Sequence, residues 1–143
     1  MVKIYVAGAL SGPELDYLEN MRHMMVISTH LWQVGMSPYC PCLDFVYALL
    51  RSEDYARPTT EQFHKASLEW IDSCDAMLVL PHSENSKGTN REVMHAHVRC
   101  NIPVFYKPND LLNYFCFPLD PTMDALFEKW GSETAGPRIF KKQ

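Results

Sequence analysis

The sequence lacks a long hydrophobic run: none of its stretches reaches the roughly eighteen apolar residues of a membrane-spanning helix, so we expect no contact with a membrane. It also lacks a basic excess. Thirteen Lys and Arg stand against seventeen Asp and Glu, a net charge of −4, which argues against binding to duplex nucleic acid. The five cysteines show no framework spacing and indicate reduced thiols. Met1 to Gly8 lacks the basic start and cleavage site of a signal peptide, so we expect a cytoplasmic protein.

The composition that remains is typical of one globular domain. The chain has 143 residues, of which 47% are apolar, and a chain of that size builds a core without disulfides or metals. We predict a domain over residues 1–130 and a tail over 131–143, which carries Gly, Pro and Lys. The pair Cys40 and Cys42 offers only two ligands and no matching second pair, so we predict no metal site.

Strand-like and helix-like segments alternate along the chain. Apolar, β-rich stretches predict strands over residues 2–7, 36–41, 76–80 and 102–106. Helical spacing predicts helices over residues 14–34, 43–50, 58–73, 89–100 and 120–130, whereas 110–117 stays unassigned. This order predicts a single-domain α/β fold of the Rossmann/flavodoxin-like kind, with a mostly parallel sheet of four or five strands flanked by helices.

Two loops of this predicted fold carry the features of a ligand site. Parallel sheets bind ligands beyond the carboxyl ends of their strands, which places residues 8–13 and 81–88 side by side. The second loop leads into a helix, so backbone amides near Ser86, Lys87 and Gly88 are suited to hold a phosphate. It is not a Walker loop, because the glycine spacing and the terminal Lys-Ser/Thr are missing.

Glu92 and Tyr5 each have two interpretations. Thr89-x-x-Glu92 matches a capping box, in which the glutamate only bonds a backbone amide, but the same carboxylate can face the crevice and act as a catalyst. Tyr5, within the first strand, is either plain core or directs its hydroxyl into the crevice. Thr59-x-x-Gln62 matches a second capping box and has no catalytic neighbour.

Several other polar and aromatic residues are predicted to have no chemical role. His64 and Ser67 share a helix face that we expect to be hydrated, and Trp70 is expected to be buried packing. His95 and His97 lie two apart on a helix and therefore point to different faces, which makes them a poor metal pair.

Taken together, the motifs resemble the nucleoside 2-deoxyribosyltransferase family, including its 5′-monophosphate N-glycosidase branch. The resemblance covers roughly residues 2–107. The matching pieces are residues 4–8, 11–13, Asn20, 68–71, 74–76, 86–88 and Glu92. The spacing from Ser86 and Gly88 to Glu92 is the most specific of them.

The resemblance implies an enzyme that hydrolyses or transfers the N-glycosidic bond of a (deoxy)nucleoside or nucleoside 5′-monophosphate without cofactor or metal. It implies that Glu92 is the nucleophile on the anomeric carbon, that Tyr5 lies beside it and that Ser86 contacts the 5′ end of the substrate. It also implies a homodimer or higher homo-oligomer. The substrate-binding residues expected on this basis are Gly8, Ser11, Gly12, Asn20, Ser67, Ser86, Lys87 and Gly88.

One position departs from the family pattern. The family commonly has an aspartate where this chain has Ser67, and a serine is no general acid at neutral pH. Either Asp44, His64, Glu69 or a water molecule protonates the departing base, or catalysis is impaired. Two other classes therefore stay open: a non-catalytic module that binds a nucleotide or an ADP-ribose-like ligand, and a structural domain in which Glu92 is only a cap.

Overall fold

A computed structural model describes residues 1–10, 14–49 and 58–133. Its sheet has four strands: β1 (Lys3–Ala7), β2 (Ser37–Tyr39), β3 (Ala76–Val79) and β4 (Val104–Phe105). All pairings are parallel, and the strand order is β2-β1-β3-β4. The predicted Rossmann/flavodoxin-like α/β fold is thereby confirmed.

Helices connect the strands and cover the sheet. The α-helices are α1 (Glu14–Val34), α2 (Thr60–Asp72), α3 (Lys87–His95), α4 (Pro108–Tyr114) and α5 (Pro121–Ser132). A 3₁₀ helix spans Pro41–Leu49, and a π-helical turn, Ala96–Cys100, continues directly from α3. Among the residues described, no helix combines the length and the apolar character needed to cross a membrane.

Alternating strand residues build two apolar layers on the two faces of the sheet. Ile4 and Val6 of β1 point toward α1, α4 and α5, whereas Tyr5 and Ala7 point toward α2, α3 and the π turn. β3 is buried along its whole length, as expected for a central parallel strand covered on both sides. The result is a sheet between two helical layers, in which Tyr5 lies on the same side as α3.

β1 and β3 are neighbours, and the chain leaves them in opposite directions, toward β2 and toward β4. This reversal is the switch point of the fold, where ligands of open parallel sheets bind. The Leu80 amide donates to the Ala7 carbonyl at 2.9 Å, so the two strands stay paired up to this edge.

Several predicted boundaries were wrong. The segment predicted as a helix over 43–50 is the 3₁₀ helix, and Leu50 lies outside the described residues. β4 is only two residues long, next to Pro103, which has no amide proton to donate to a ladder. The unassigned stretch 110–117 contains most of α4, and α5 continues to Ser132, past the predicted helix end at 130. Asn101 has φ 53° and ends the π turn, as expected.

Candidate functional site

The loops that follow β1 and β3 meet at the switch point. The Ala9 amide donates to the buried Ser83 hydroxyl, with 3.3 Å between nitrogen and oxygen. Gly8 lies so close to β3 that a Cβ atom there would come within 2.8 Å of Leu80 Cδ1. Only glycine permits this approach without displacing Leu80. The predicted juxtaposition of the two loops is confirmed for the residues that the structure describes.

α3 begins at a different cap from the one predicted. Ser86 is the N-cap, and its hydroxyl accepts a hydrogen bond from the Thr89 amide at 3.2 Å. The helix therefore starts two residues earlier than expected, and Glu92 lies in its second turn. The interpretation of Thr89 and Glu92 as a capping box is wrong, because Thr89 is inside the helix and the Glu92 side chain turns to another partner. Thr59 and Gln62, by contrast, form the predicted capping box of α2.

That partner is Tyr5. Its hydroxyl donates a hydrogen bond to Glu92 Oε2 across the boundary between β1 and α3. Ser67 of α2 lines the same cavity as Tyr5, and its hydroxyl acts to lower the pKa of Tyr5. Tyr5 is therefore bonded to α3 and influenced by α2, the two helices on its side of the sheet.

Burial controls the ionisation of this pair. Removal from water raises the pKa of the Glu92 carboxyl to about 7, and the hydrogen bond from Tyr5 partly offsets that effect because it stabilises the carboxylate. The pKa of Tyr5 is well above its ordinary value, first because the ring is buried and then because of the Glu92 charge. Near neutral pH a part of the Glu92 population is therefore protonated, while the tyrosine stays protonated and donates.

A second tyrosine holds a second carboxylate next to the first pair. Tyr39 of β2 is the register partner of Tyr5, and their rings stack with centroids 5.6 Å apart. The Tyr39 hydroxyl donates to Asp44 Oδ2 at 2.7 Å. Trp70 stacks on the outer face of Tyr39 at 4.9 Å and is half-exposed, so the prediction that it is buried packing was wrong.

Tyr5, Asp44, Ser67 and Glu92 line a cavity of about 780 Å³ at the switch point, whereas Tyr39 and Trp70 are not among the described residues that line it. Its walls come from β1, α2, α3 and the 3₁₀ helix, and the volume is in the range of small-molecule sites. The polar side chains in its lining include Tyr5, Asp44, His64, Ser67, Lys87, Arg91 and Glu92.

His64 lines this cavity and is exposed, as predicted for a hydrated helix face. Arg91 Nη1 and His64 Nδ1 are 2.9 Å apart, and a guanidinium only donates. His64 Nδ1 is therefore the acceptor, and in the neutral ring the proton lies on Nε2.

The structure brings together most of the residues predicted for the site. Tyr5, Gly8, Ser67, Glu92 and the three residues 86–88 all line the cavity. Asn20, on α1, is not among the described residues that line it, so its predicted role has no support from the geometry. Ser11 and Gly12 lie outside the described residues.

Sequence reasoning missed Arg91 and Tyr39. The alternation of inward and outward side chains along β1 and β2 could have identified Tyr39. Tyr5 and Tyr39 occupy equivalent positions of these two neighbouring strands, so their side chains point to the same face of the sheet. Arg91 precedes Glu92, and nothing in the local pattern indicated that its side chain reaches α2.

A second, smaller cavity of about 510 Å³ lies where β3 and β4 end, against α5. Thr89 lines both cavities, whereas Tyr5 and Glu92 line only the larger one. The smaller cavity therefore lacks the Tyr5–Glu92 pair. Within the described ranges, two clusters have the donors of a metal site, Asp72 with His95 and Cys100, and Glu19 with His23 and Glu133; neither lines the larger cavity.

The sheet order and the cavity at the switch point define an α/β protein of the Rossmann/flavodoxin-like class. Residues 2–106 match the family model described as Domain of unknown function (DUF4406), and the chain belongs to this family. No curated protein matches the chain at a significant level. The matched region contains β1 to β4 and every residue that lines the larger cavity.

Proposed function

We propose that this protein breaks the N-glycosidic bond of a (deoxy)nucleoside or nucleoside 5′-monophosphate, by hydrolysis or by transfer of the sugar, with Glu92 as the nucleophile. The observation that carries the proposal is the Tyr5–Glu92 hydrogen bond on the wall of a cavity of about 780 Å³ at the switch point. The resemblance to nucleoside 2-deoxyribosyltransferases supplies the reaction class.

The covalent step follows from the chemistry of a carboxylate. Glu92 attacks C1′ of the sugar, the C1′–N bond breaks, and its electron pair stays on the base nitrogen, which takes up a proton. The oxocarbenium character of the transition state is stabilised by the negative charge, and the resulting glycosyl ester is labile. Water then attacks C1′ and releases the sugar and Glu92, or a second base attacks in its place. This sequence needs no cofactor and no metal.

The start of α3 supports binding of the 5′ end of the substrate. Ser86, Lys87 and Gly88 line the cavity at the N-terminus of this helix, where backbone amides and the helix dipole favour an anion. The Ser86 hydroxyl accepts a bond from Thr89, so its own proton is available to donate to a substrate oxygen.

Ser67 cannot supply the proton that the leaving base takes up. Glu69 is exposed and does not line the cavity, which leaves Asp44, His64 and a water molecule. His64 lies one helical turn before Ser67, and its Nε2–H is suited to donate a hydrogen bond to the leaving base, while the proton itself comes from water. Asp44 already accepts from Tyr39 and is suited to accept an N–H of the base.

The decisive experiment compares wild type, Glu92→Gln and the matched control Glu69→Gln on a panel of deoxynucleosides, ribonucleosides and their 5′-monophosphates. We expect wild type and Glu69→Gln to release base and Glu92→Gln to lose release by about a hundredfold or more. Intact-mass spectra of acid-quenched reactions are expected to show a sugar adduct only where Glu92 is present. Equal release by all three proteins removes Glu92 from the mechanism.

A non-catalytic module that binds a nucleotide or an ADP-ribose-like ligand is the second candidate. It is favoured by Ser67, a cavity-lining hydroxyl at the position where the family commonly has an acid. The same panel discriminates between the two: a ligand that raises the melting temperature without being consumed supports the binding module. A third class, a structural domain, predicts no stabilisation, whereas a ligand at a hundred times its Kd adds about 2.7 kcal/mol.

We also propose that the protein is a cytoplasmic homodimer or higher homo-oligomer. Tyr114 and Leu119 are large apolar side chains left exposed beside α4, which is typical of an interface. Sedimentation of wild type and of Tyr114→Ser tests the assembly: we expect a dimer or larger species for wild type and a shift toward monomer for the variant. A monomeric wild type would contradict it.

A further inference from the structure

A cluster of three metal-ligating side chains lies outside the larger cavity, where α2 and the π turn end. Asp72 Oδ1 is 2.6 Å from His95 Nε2 and 3.1 Å from Cys100 Sγ, and the three donor atoms lie within 4.8 Å of one another. We propose that Asp72, His95 and Cys100 form a zinc site that clamps α2 to α3. This proposal does not depend on the proposed reaction.

The π turn explains how two ligands of one helix reach the same ion. In a regular α-helix, His95 and Cys100 would point about 140° apart, because residues five apart advance well past one turn. The wider turn over Ala96–Cys100, in which the Asn101 amide donates to the Ala96 carbonyl, returns Cys100 to the face of His95. Such π turns frequently occur at functional sites.

The donor set favours zinc over other cations. A thiolate and an imidazole are borderline-soft ligands that Zn²⁺ accepts and that Mg²⁺ and Ca²⁺ avoid, and a carboxylate completes a three-ligand set with one position left for solvent. Around tetrahedral zinc such donor atoms stand about 3.4 to 3.6 Å apart. Binding therefore requires Asp72 to move back by less than 1 Å, and its half-exposed side chain has room to do so.

The surrounding backbone favours a positive charge at this point. Asp72 is the last residue of α2, and Cys100 ends the π turn that continues α3. The negative ends of two helix dipoles therefore converge near the proposed ion. On binding, the Cys100 thiol releases its proton to solvent, and His95 coordinates through Nε2 as the neutral ring with its proton on Nδ1.

The site would act on the cavity through the two helices. α2 carries His64 and Ser67, and α3 carries Arg91 and Glu92, all of them on the N-terminal side of the proposed zinc ligands. A zinc ion at the C-terminal ends fixes the separation of α2 and α3 without taking part in chemistry. We therefore expect zinc to raise stability.

Cobalt substitution tests the proposal directly. The full chain is freed of metal by a chelator and titrated with Co²⁺, and we expect one equivalent to give a near-ultraviolet thiolate-to-cobalt band and the visible bands of a tetrahedral ion. Zn²⁺ is expected to displace the cobalt and to raise the melting temperature. Cys100→Ser should abolish the thiolate band, and Asp72→Asn should weaken zinc binding by at least about tenfold.

Control variants separate this site from the other thiols. Cys116→Ser, at an exposed cysteine, and Cys42→Ser, in the buried pair with Cys40, should both keep the cobalt spectrum. Circular dichroism confirms that each variant is folded, and the exposed Asp72→Asn change keeps the test valid if Cys100→Ser does not fold. Absence of a thiolate band in wild type, or its loss in Cys42→Ser with retention in Cys100→Ser, would overturn the proposal.

Discussion

Tyr5 and Tyr39 are register partners on neighbouring parallel strands, and each donates its hydroxyl to a carboxylate, Tyr5 to Glu92 and Tyr39 to Asp44. The stacked rings, 5.6 Å apart, place both carboxylates on the wall of one cavity. Because the tyrosines belong to the sheet, the spacing of these acids is set by the most rigid part of the fold.

Tyr5→Phe is expected to move the acidic limb of the pH–rate profile to higher pH. The hydroxyl lowers the pKa of Glu92 from what burial alone would impose, so its removal raises that pKa above about 7 and leaves less carboxylate at neutral pH. The measurement is kcat/KM against pH. Tyr39→Phe is the matched control, because it leaves the bond to Glu92 intact. A Tyr5→Phe profile that coincides with wild type would contradict this role.

Glu92→Gln is expected to stabilise the fold at alkaline pH. The pKa of Glu92 is raised from 4.5 to about 7 in the folded state, so between these values the folded protein binds more protons than the unfolded chain. The free energy of unfolding of wild type therefore falls as pH rises through this window, by about 3 kcal/mol at most. The variant should match wild type near pH 4 and exceed it near pH 8 in urea titrations. Parallel pH curves for the two proteins would be incompatible with this account.

Gly8→Ala and Gly88→Ala are expected to have opposite effects. The new Cβ at Gly8 would lie 2.8 Å from Leu80 Cδ1 and 3.3 Å from Leu80 Cβ, and this overpacking should cost about 1–3 kcal/mol of stability. A Cβ atom at Gly88 would have Ser86 Oγ, 4.0 Å away, as its nearest neighbour outside the helix backbone. Because alanine is favoured over glycine in a helix, Gly88→Ala should raise the free energy of unfolding by up to about 1 kcal/mol. Thermal unfolding of the pair checks the prediction, which equal destabilisation would refute.

His64→Ala is expected to slow only the reactions in which the leaving group needs a hydrogen-bond donor. Loss of a hydrogen bond to a developing negative charge typically costs about a hundredfold or more, whereas a deoxyriboside of an activated phenol departs unaided. We therefore expect a large drop in base release and a near wild-type rate with the activated substrate. His97→Ala, at an exposed histidine of the π turn, is the control. An equal loss on both substrates would assign His64 to binding instead.

The layered fold was predictable because its signals are local and repeated. The apolar run ending at Ala7, the helical spacing over Glu14–Val34 and the box at Thr59 each specify an element without help from distant residues. Their alternation then limits the sheet to a parallel arrangement, which in turn places the two loops side by side.

The details of the site depended on contacts that no local pattern contains. Ser86 and Thr89 both suit a helix cap, and the Ser86 cap leaves Glu92 free for its bond to Tyr5, 87 residues away along the chain. His64 is an exposed residue, and its contact with Arg91 of α3 spans 27 positions of the chain. The π turn that brings Cys100 to His95 likewise has no recognised sequence pattern.

The three stacked rings end at an indole that is 50% exposed, that of Trp70, while their inner end bonds to Glu92. A molecule that enters the cavity contacts Tyr5, and we expect the fluorescence of Trp70, one of the three tryptophans of the chain, to change on its arrival. Trp70 thus makes affinity measurable for compounds that are never turned over.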